Sequence, residues 1–127
     1  MPDFSLKKSE RLSGSKSISS LFQDGTSISS YPVRILFNTE GLGPRPASLA
    51  ISVPKRLFKR AVDRNLLKRR IREAYRLNKP KLYVRLEAMQ KKANVVIQYQ
   101  QKEILDYQTI EAGVIKAMEK MVSKLEV

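Results

Sequence analysis

The sequence predicts an α+β fold, an α/β sandwich with a mixed sheet of three to four strands and helices in the order α-β-β-α-β-α. Three observations predict it. Residues 32–38 and 47–53 carry the period-two alternation of half-buried strands. Residues 94–99 (Asn94-Val95-Val96-Ile97-Gln98-Tyr99) are β-branched and uncharged, as a buried strand requires. The intervening and final stretches repeat apolar residues every three or four positions. A chain of 127 residues with 42% hydrophobic and 29% charged residues fits one globular domain, able to bury about two-thirds of its unfolded surface without disulfides.

In chain order, the polar stretch 1–17 carries Lys7, Lys8, Arg11 and Lys16 among five serines, and residues 1–14 read as a mobile basic arm. From 15 to 24, Ile18, Leu21 and Phe22 stand at i, i+3 and i+4, giving a short amphipathic helix that ends at Gly25. On periodicity alone Phe22 is a core anchor. In the strand 32–38, Val33, Ile35 and Phe37 share one face and Arg34, Leu36 and Asn38 the other. A turn of Gly and Pro follows, then the strand 47–53 with Leu49, Ile51 and Val53 on one face and Pro54 as its stop. These two strands are expected to pair antiparallel.

The next stretch, 55–79, holds most of the charge. It has eleven Lys or Arg against Asp63 and Glu73, so it carries +9 of the chain's net +13. A helix is expected over about 58–77, because nothing there interrupts good helix formers and Asn78-Lys79-Pro80 supplies a stop. Wound at about 100° per residue, Arg64, Asn65, Lys68, Arg69, Arg72 and Arg76 fall in one arc of roughly 140° that contains no acid. Leu67, Ile71 and Ala74 form one apolar group and Val62, Leu66 and Leu77 a second. Arg60, Arg64, Lys68, Arg72 and Arg76 succeed one another at i,i+4, about 1–2 kcal/mol of self-repulsion in an isolated helix. A face built for solubility would interleave Glu; this one calls for an anionic partner. Glu73 is expected to pair with Arg69, Arg70 or neighbouring lysines. Beyond it, 80–92 reads as a second short helix, and Asp106 as the cap of a helix whose stripe is Tyr107, Ile110, Val114, Met118, Met121 and Leu125.

The absence of Cys and His removes disulfides, thiol nucleophiles, the usual general base and the usual zinc ligands. No carboxylate pair or Gly-rich phosphate loop stands out, so catalytic and metal-ligating residues are expected to be none. No apolar run approaches the ~20 residues of a membrane span and Met1-Pro2-Asp3-Phe4 lacks signal-peptide character, so no membrane partner is expected and the expected compartment is the cytoplasm. The chain reads as one domain, 1–127, that binds an anionic partner.

The run Ala61-Val62-Asp63-Arg64-Asn65, then Lys68-Arg69, Ile71-Arg72-Glu73 and Arg76, resembles the Arg-rich signature of the bacterial ribonuclease P protein component. Ser52-Val53 before Lys55-Arg56 looks like that family's lead-in, and Arg11-Leu12, Phe22 and Gly25 stand where it has a short helix and turn, so the likeness spans about residues 11–77. The resemblance implies a left-handed β-α-β crossover, against the right-handed general rule. It also implies an endoribonuclease whose RNA subunit removes the 5′ leader of precursor tRNA with Mg²⁺, while the protein binds the leader and supports the metal-dependent RNA. Its partners would be ribonuclease P RNA and precursor tRNA, and only the resemblance makes 1–127 a single RNA-binding domain.

On that basis Arg60, Arg64, Asn65, Lys68, Arg69, Arg72 and Arg76 are assigned to the catalytic RNA, and Phe22, Lys55 and Arg56 to a leader cleft between the first helix and the sheet. The chain departs from the family at Ile18 and Leu36, where aromatics are common, at Gln98-Tyr99, where many relatives have an Arg, and in the longer segment 80–92. Rival readings are a small basic ribosomal protein, a DNA-binding regulator and a stand-alone nuclease. The breadth of the cationic arc argues against base readout in a major groove, and the last lacks candidate residues.

Overall fold

A computed structural model describes residues 6–12, 14–41 and 43–126. Helix α1 (Ser15–Asp24) is followed by strands β1 (Thr26–Ser30), β2 (Val33–Asn38) and β3 (Ala47–Ser52), helix α2 (Ala61–Ala88), strand β4 (Ala93–Tyr99) and helix α3 (Tyr107–Leu125). The sheet order is β1-β2-β4-β3, with β3 and β4 parallel and the other pairs antiparallel. This is the expected mixed sheet in an α+β sandwich.

The expected β2–β3 pairing is replaced, because β4 lies between them. Residues of β4 are apolar on both faces: Val95, Ile97 and Tyr99 belong to the large core and Val96 to a smaller one, so the centre of the sheet is where β4 buries most. Strand β1 is not expected from its sequence, Thr-Ser-Ile-Ser-Ser, and lies at an edge with Ile28 opposite Ile35. Helices α2 and α3 cover one sheet face, with Leu67, Ile71, Tyr75, Val114 and Met121 fully buried. Helix α1 covers the other by placing Leu21 on Leu36 and Val96. As expected, Asp106 caps α3, its Oδ1 accepting the Thr109 amide at 2.9 Å.

Helix α2 does not stop before Pro80 but runs through it for 28 residues, so 80–88 continue the same helix. Proline removes a backbone donor and costs ~3 kcal/mol in a helix interior. Burial of Leu82 and Leu86, about 1.5–3 kcal/mol each, more than offsets it. Termination comes at Gln90, which adopts φ 56° while the Gln90 and Lys91 amides donate to the Glu87 and Leu86 carbonyls at 3.1 and 3.0 Å. Of the two apolar groups on α2, only that of Leu67, Ile71 and Ala74 enters the core; Val62 is 59% exposed.

The expected mobile arm over 1–14 also differs. Residues 1–5 and 13 lie outside the described residues, but 6–12 are anchored. Glu10 is 2% exposed, its carboxylate accepting Lys79 Nζ at 2.7 and 2.9 Å, and the Leu12 amide donates to the Leu49 carbonyl at 2.8 Å. The polar composition of this stretch hid one acid whose partner lies 69 residues away.

Candidate nucleic-acid interface

The approach to α2 is built by a turn after β3. Pro54 ends the strand and its carbonyl accepts the Leu57 and Phe58 amides at 3.1 and 3.2 Å. Phe58 is buried against Tyr99, ring centroids 5.8 Å apart, which holds the turn to the core and leaves Lys55 and Arg56 exposed at its tip. Arg64 folds back from the first turn of α2, its Nη1 donating to the Phe58 and Lys59 carbonyls at 2.8 and 2.9 Å. It thus braces the approach from within.

Along α2 the expected cations divide. Asn65, Arg69 and Arg72 are exposed, and Lys68 is half-buried. The Arg60 side chain is 76% exposed, with its Nε 3.9 Å from Asp63 Oδ2, a loose contact. Arg76 is engaged: its Nη2 and Nε donate to Glu73 at 2.5 and 3.2 Å. That hydrogen bond holds the Glu73 carboxyl below the usual carboxylate range, against the opposing effect of burial, and raises Arg76 further. Glu73 therefore pairs with Arg76, not with Arg69 or Arg70. Arg70 donates to the Leu105 carbonyl at 2.5 Å and ties α2 to the loop before α3. What remains outward is Lys68, Arg69 and Arg72 with Asn65 among them, and Arg60 at the N-cap, held only by its loose contact to Asp63 and standing at the positive end of the helix dipole.

A second feature is the open face of the sheet beside α1. The register places Ser29, Arg34, Gln98 and Ser52 in one row across all four strands. Arg34 Nη2 donates to Gln98 Oε1 at 2.7 Å, and its guanidinium carbon lies 6.0 Å from the centroid of the Phe22 ring. Arg34 Nε is buried and has no hydrogen-bond partner among the described residues. Phe22 is 40% exposed, so it is not the core anchor its periodicity predicts; Leu21 takes that place. Leu36 is buried beneath α1 and Ile18 packs on the same cluster, so neither offers the open stacking face that an aromatic there would give. The row ends at Ser52, three residues before Lys55, so cleft and basic helix meet at the Pro54 turn. Arg34 was missed by sequence reasoning; its only signal was a cation alternating with the core-directed Val33 and Ile35.

Among the described residues no three acidic side chains gather where they could hold a metal ion, and no helix is long and apolar enough to cross a membrane. Fold and site together define a small, strongly basic α+β domain whose charge is concentrated on one exposed helix beside an open polar cleft.

Residues 6–122 match the family model described as Ribonuclease P, and the chain belongs to that family. It is 39% identical over 119 residues to the ribonuclease P protein component of Porphyromonas gingivalis, covering 92% of this chain and 86% of that protein. A 40-residue stretch is 52% identical to the corresponding protein of Ralstonia pickettii, 32% of this chain and 29% of that one. The solved RNase P protein of Thermotoga maritima superimposes with a TM-score of 0.70 at 25% identity, over 87% of this chain and 96% of that chain. The Staphylococcus aureus RNase P protein shares the fold, with a TM-score of 0.69 at 20% identity over 88% and 94% of the two chains.

Proposed function

We propose that this chain is the protein subunit of an endoribonuclease that removes the 5′ leader of precursor tRNA in the cytoplasm, with ribonuclease P RNA carrying the chemistry. The observation that carries the reading is the outward cationic line of Lys68, Arg69 and Arg72 on α2, continued at its N-cap by Arg60, which has only a loose contact to Asp63. Arginine forks bind phosphates bidentately and stack on bases. Asn65, exposed between them, can hydrogen-bond a base edge or a 2′-hydroxyl. Arg64 and Arg76, turned inward or paired, shape this surface and add charge to it.

The leader lies along the row beside α1 in this reading. Phe22 offers an aromatic face worth about 1–3 kcal/mol per stacked base, Arg34 adds a cation beside it, and Lys55 and Arg56 carry the strand toward α2. Mg²⁺ would be held mainly by the RNA and would supply the metal-dependent chemistry there; the chain's share is to neutralise phosphate and hold the substrate strand.

The test is cleavage of a 5′-extended precursor tRNA by ribonuclease P RNA at low Mg²⁺, with and without the protein and its Arg69→Ala/Arg72→Ala variant. Strong stimulation by the wild type that the variant loses is expected. If the wild type binds RNA but does not stimulate, and instead co-sediments with ribosomes, the reading fails in favour of a ribosomal role.

A further inference from the structure

Residues 6–12 cross from one face of the sheet to the other. Leu6 packs on the α2 side of the core and Leu12 on the Leu21, Leu36 and Val96 cluster under α1. Between them the segment runs along the free edge of β3, where Arg11 forms a parallel bridge with Leu49, the Leu12 amide donates to the Leu49 carbonyl, and Arg45 Nε donates to Ser9 Oγ at 3.4 Å. Only residues 13 and 14 separate Leu12 from the start of α1. A ten-residue helix that seats one fully buried residue on the sheet does not fix its own position.

The fixed point lies in the interior. Lys79 is 1% exposed on α2; its Nζ meets both carboxylate oxygens of Glu10 and lies 5.5 Å from the centroid of the Tyr83 ring. Glu10 Oε2 also accepts the Lys7 amide at 2.9 Å, closing the turn of the segment. Burial pushes the neighbouring Tyr83 phenol up to about 12 and the Tyr75 phenol well above its usual value, so neither contributes a competing charge. A buried ion pair adds little net stability over an apolar pair of similar volume, but its geometry is directional, and it selects one register for the segment it holds.

Resting on the proposed leader cleft, we infer that the segment is a strap locked by Glu10–Lys79, and that these two are positioning residues. They set α1 over the sheet row and couple the width of the cleft to α2. The pair touches neither leader nor RNA.

The experiment uses full-length Glu10→Met/Lys79→Met, in which the buried volume is kept and the ion pair is lost, and Leu12→Ala, which loosens the strap from its α1 end. Two readouts are taken. Amide exchange of α1 is expected to accelerate by about a hundredfold while the core of α2 and α3 keeps its protection. In complex with ribonuclease P RNA, the preference for leader-bearing over mature tRNA is expected to fall about tenfold, with affinity for ribonuclease P RNA within about twofold of wild type. The inverted pair, Glu10→Lys/Lys79→Glu, serves if the double Met variant does not fold, and should recover part of both. Unchanged α1 exchange in a folded variant overturns the strap. Accelerated exchange with unchanged leader preference overturns the positioning role, and a wild type with no leader preference overturns the leader reading instead.

Discussion

Arg69 and Arg70 are adjacent cations on one helix, and their environments predict opposite outcomes when each is replaced by Ala. Arg69 is exposed and has no ion-pair partner among the described residues, whereas Arg70 donates to the Leu105 carbonyl. If Arg60, Lys68, Arg69 and Arg72 each neutralise one phosphate, the slope of log affinity against log salt is about −3.6, a loss of roughly 150-fold between about 50 and 200 mM. Arg69→Ala should flatten the slope to about −2.7 and the loss to roughly 40-fold, with stability unchanged within about 0.5 kcal/mol. Arg70→Ala should leave the slope near −3.6 but cost roughly 1.5–3 kcal/mol, the worth of a charged donor to a carbonyl. Filter binding to ribonuclease P RNA across a salt series, with thermal melts of both variants, gives all four quantities. Equal flattening by the two substitutions would show that total charge, not which guanidinium faces outward, governs binding.

Phe22→Ala should weaken binding of leader-bearing tRNA by about 1–3 kcal/mol of lost stacking without altering the salt slope, read by competition against mature tRNA. Gly113→Ala places a Cβ against the Tyr31 carbonyl and the Pro32 ring, and should destabilise by roughly 1–3 kcal/mol in denaturant titration. Pro80→Ala restores a donor for the helix; relief of ~3 kcal/mol, less up to about 1 kcal/mol of unfolded-chain entropy, should raise stability by about 2 kcal/mol. Hydrogen bonds from Thr109, side chain first and backbone next, lower the Asp106 carboxyl below its usual value. The stability it supplies is therefore complete above the unfolded value of about 3.9 and lost as pH falls through the lowered folded value. The gap in melting temperature between wild type and Asp106→Ala should close over that acid window.

Sequence period sufficed where an element's neighbours are local. Helix α1 was legible from Ile18 and Leu21, α3 from its cap and stripe, and β4 from its unbroken apolar run. Strand order was not, because β4 enters between β2 and β3 from more than forty residues beyond β3, and no pattern within a strand encodes that. Strand β1 has one apolar side chain, Ile28, and gains its place by backbone pairing with β2. The proline stop failed because the burial of Leu82 and Leu86 outweighs a local penalty. At the site, the cationic line was visible because its charges are consecutive on one helix. Which of those charges turn inward was not, since Arg70 finds its acceptor 35 residues away and Arg34 finds Gln98 64 residues away.

These inward turns explain how the chain tolerates so much like charge. Arg64 and Arg70 donate to carbonyls, and Arg76 faces Glu73, so three of the closely spaced cations meet partners without help from outside. The remaining repulsion falls on Arg60, Lys68, Arg69 and Arg72, and it is not offset by the propensity of 61–77 alone. The helix is held instead by its buried face, Leu67, Ile71, Ala74 and Tyr75, extended by Lys79 in the interior and Leu82 and Leu86 in the core, the last two reached only because α2 passes through Pro80. Two functions thus share one continuous helix. Its outward face presents charge that an anion relieves, and its inward face, from Leu67 to Leu86, supplies the burial that keeps it folded while no anion is there.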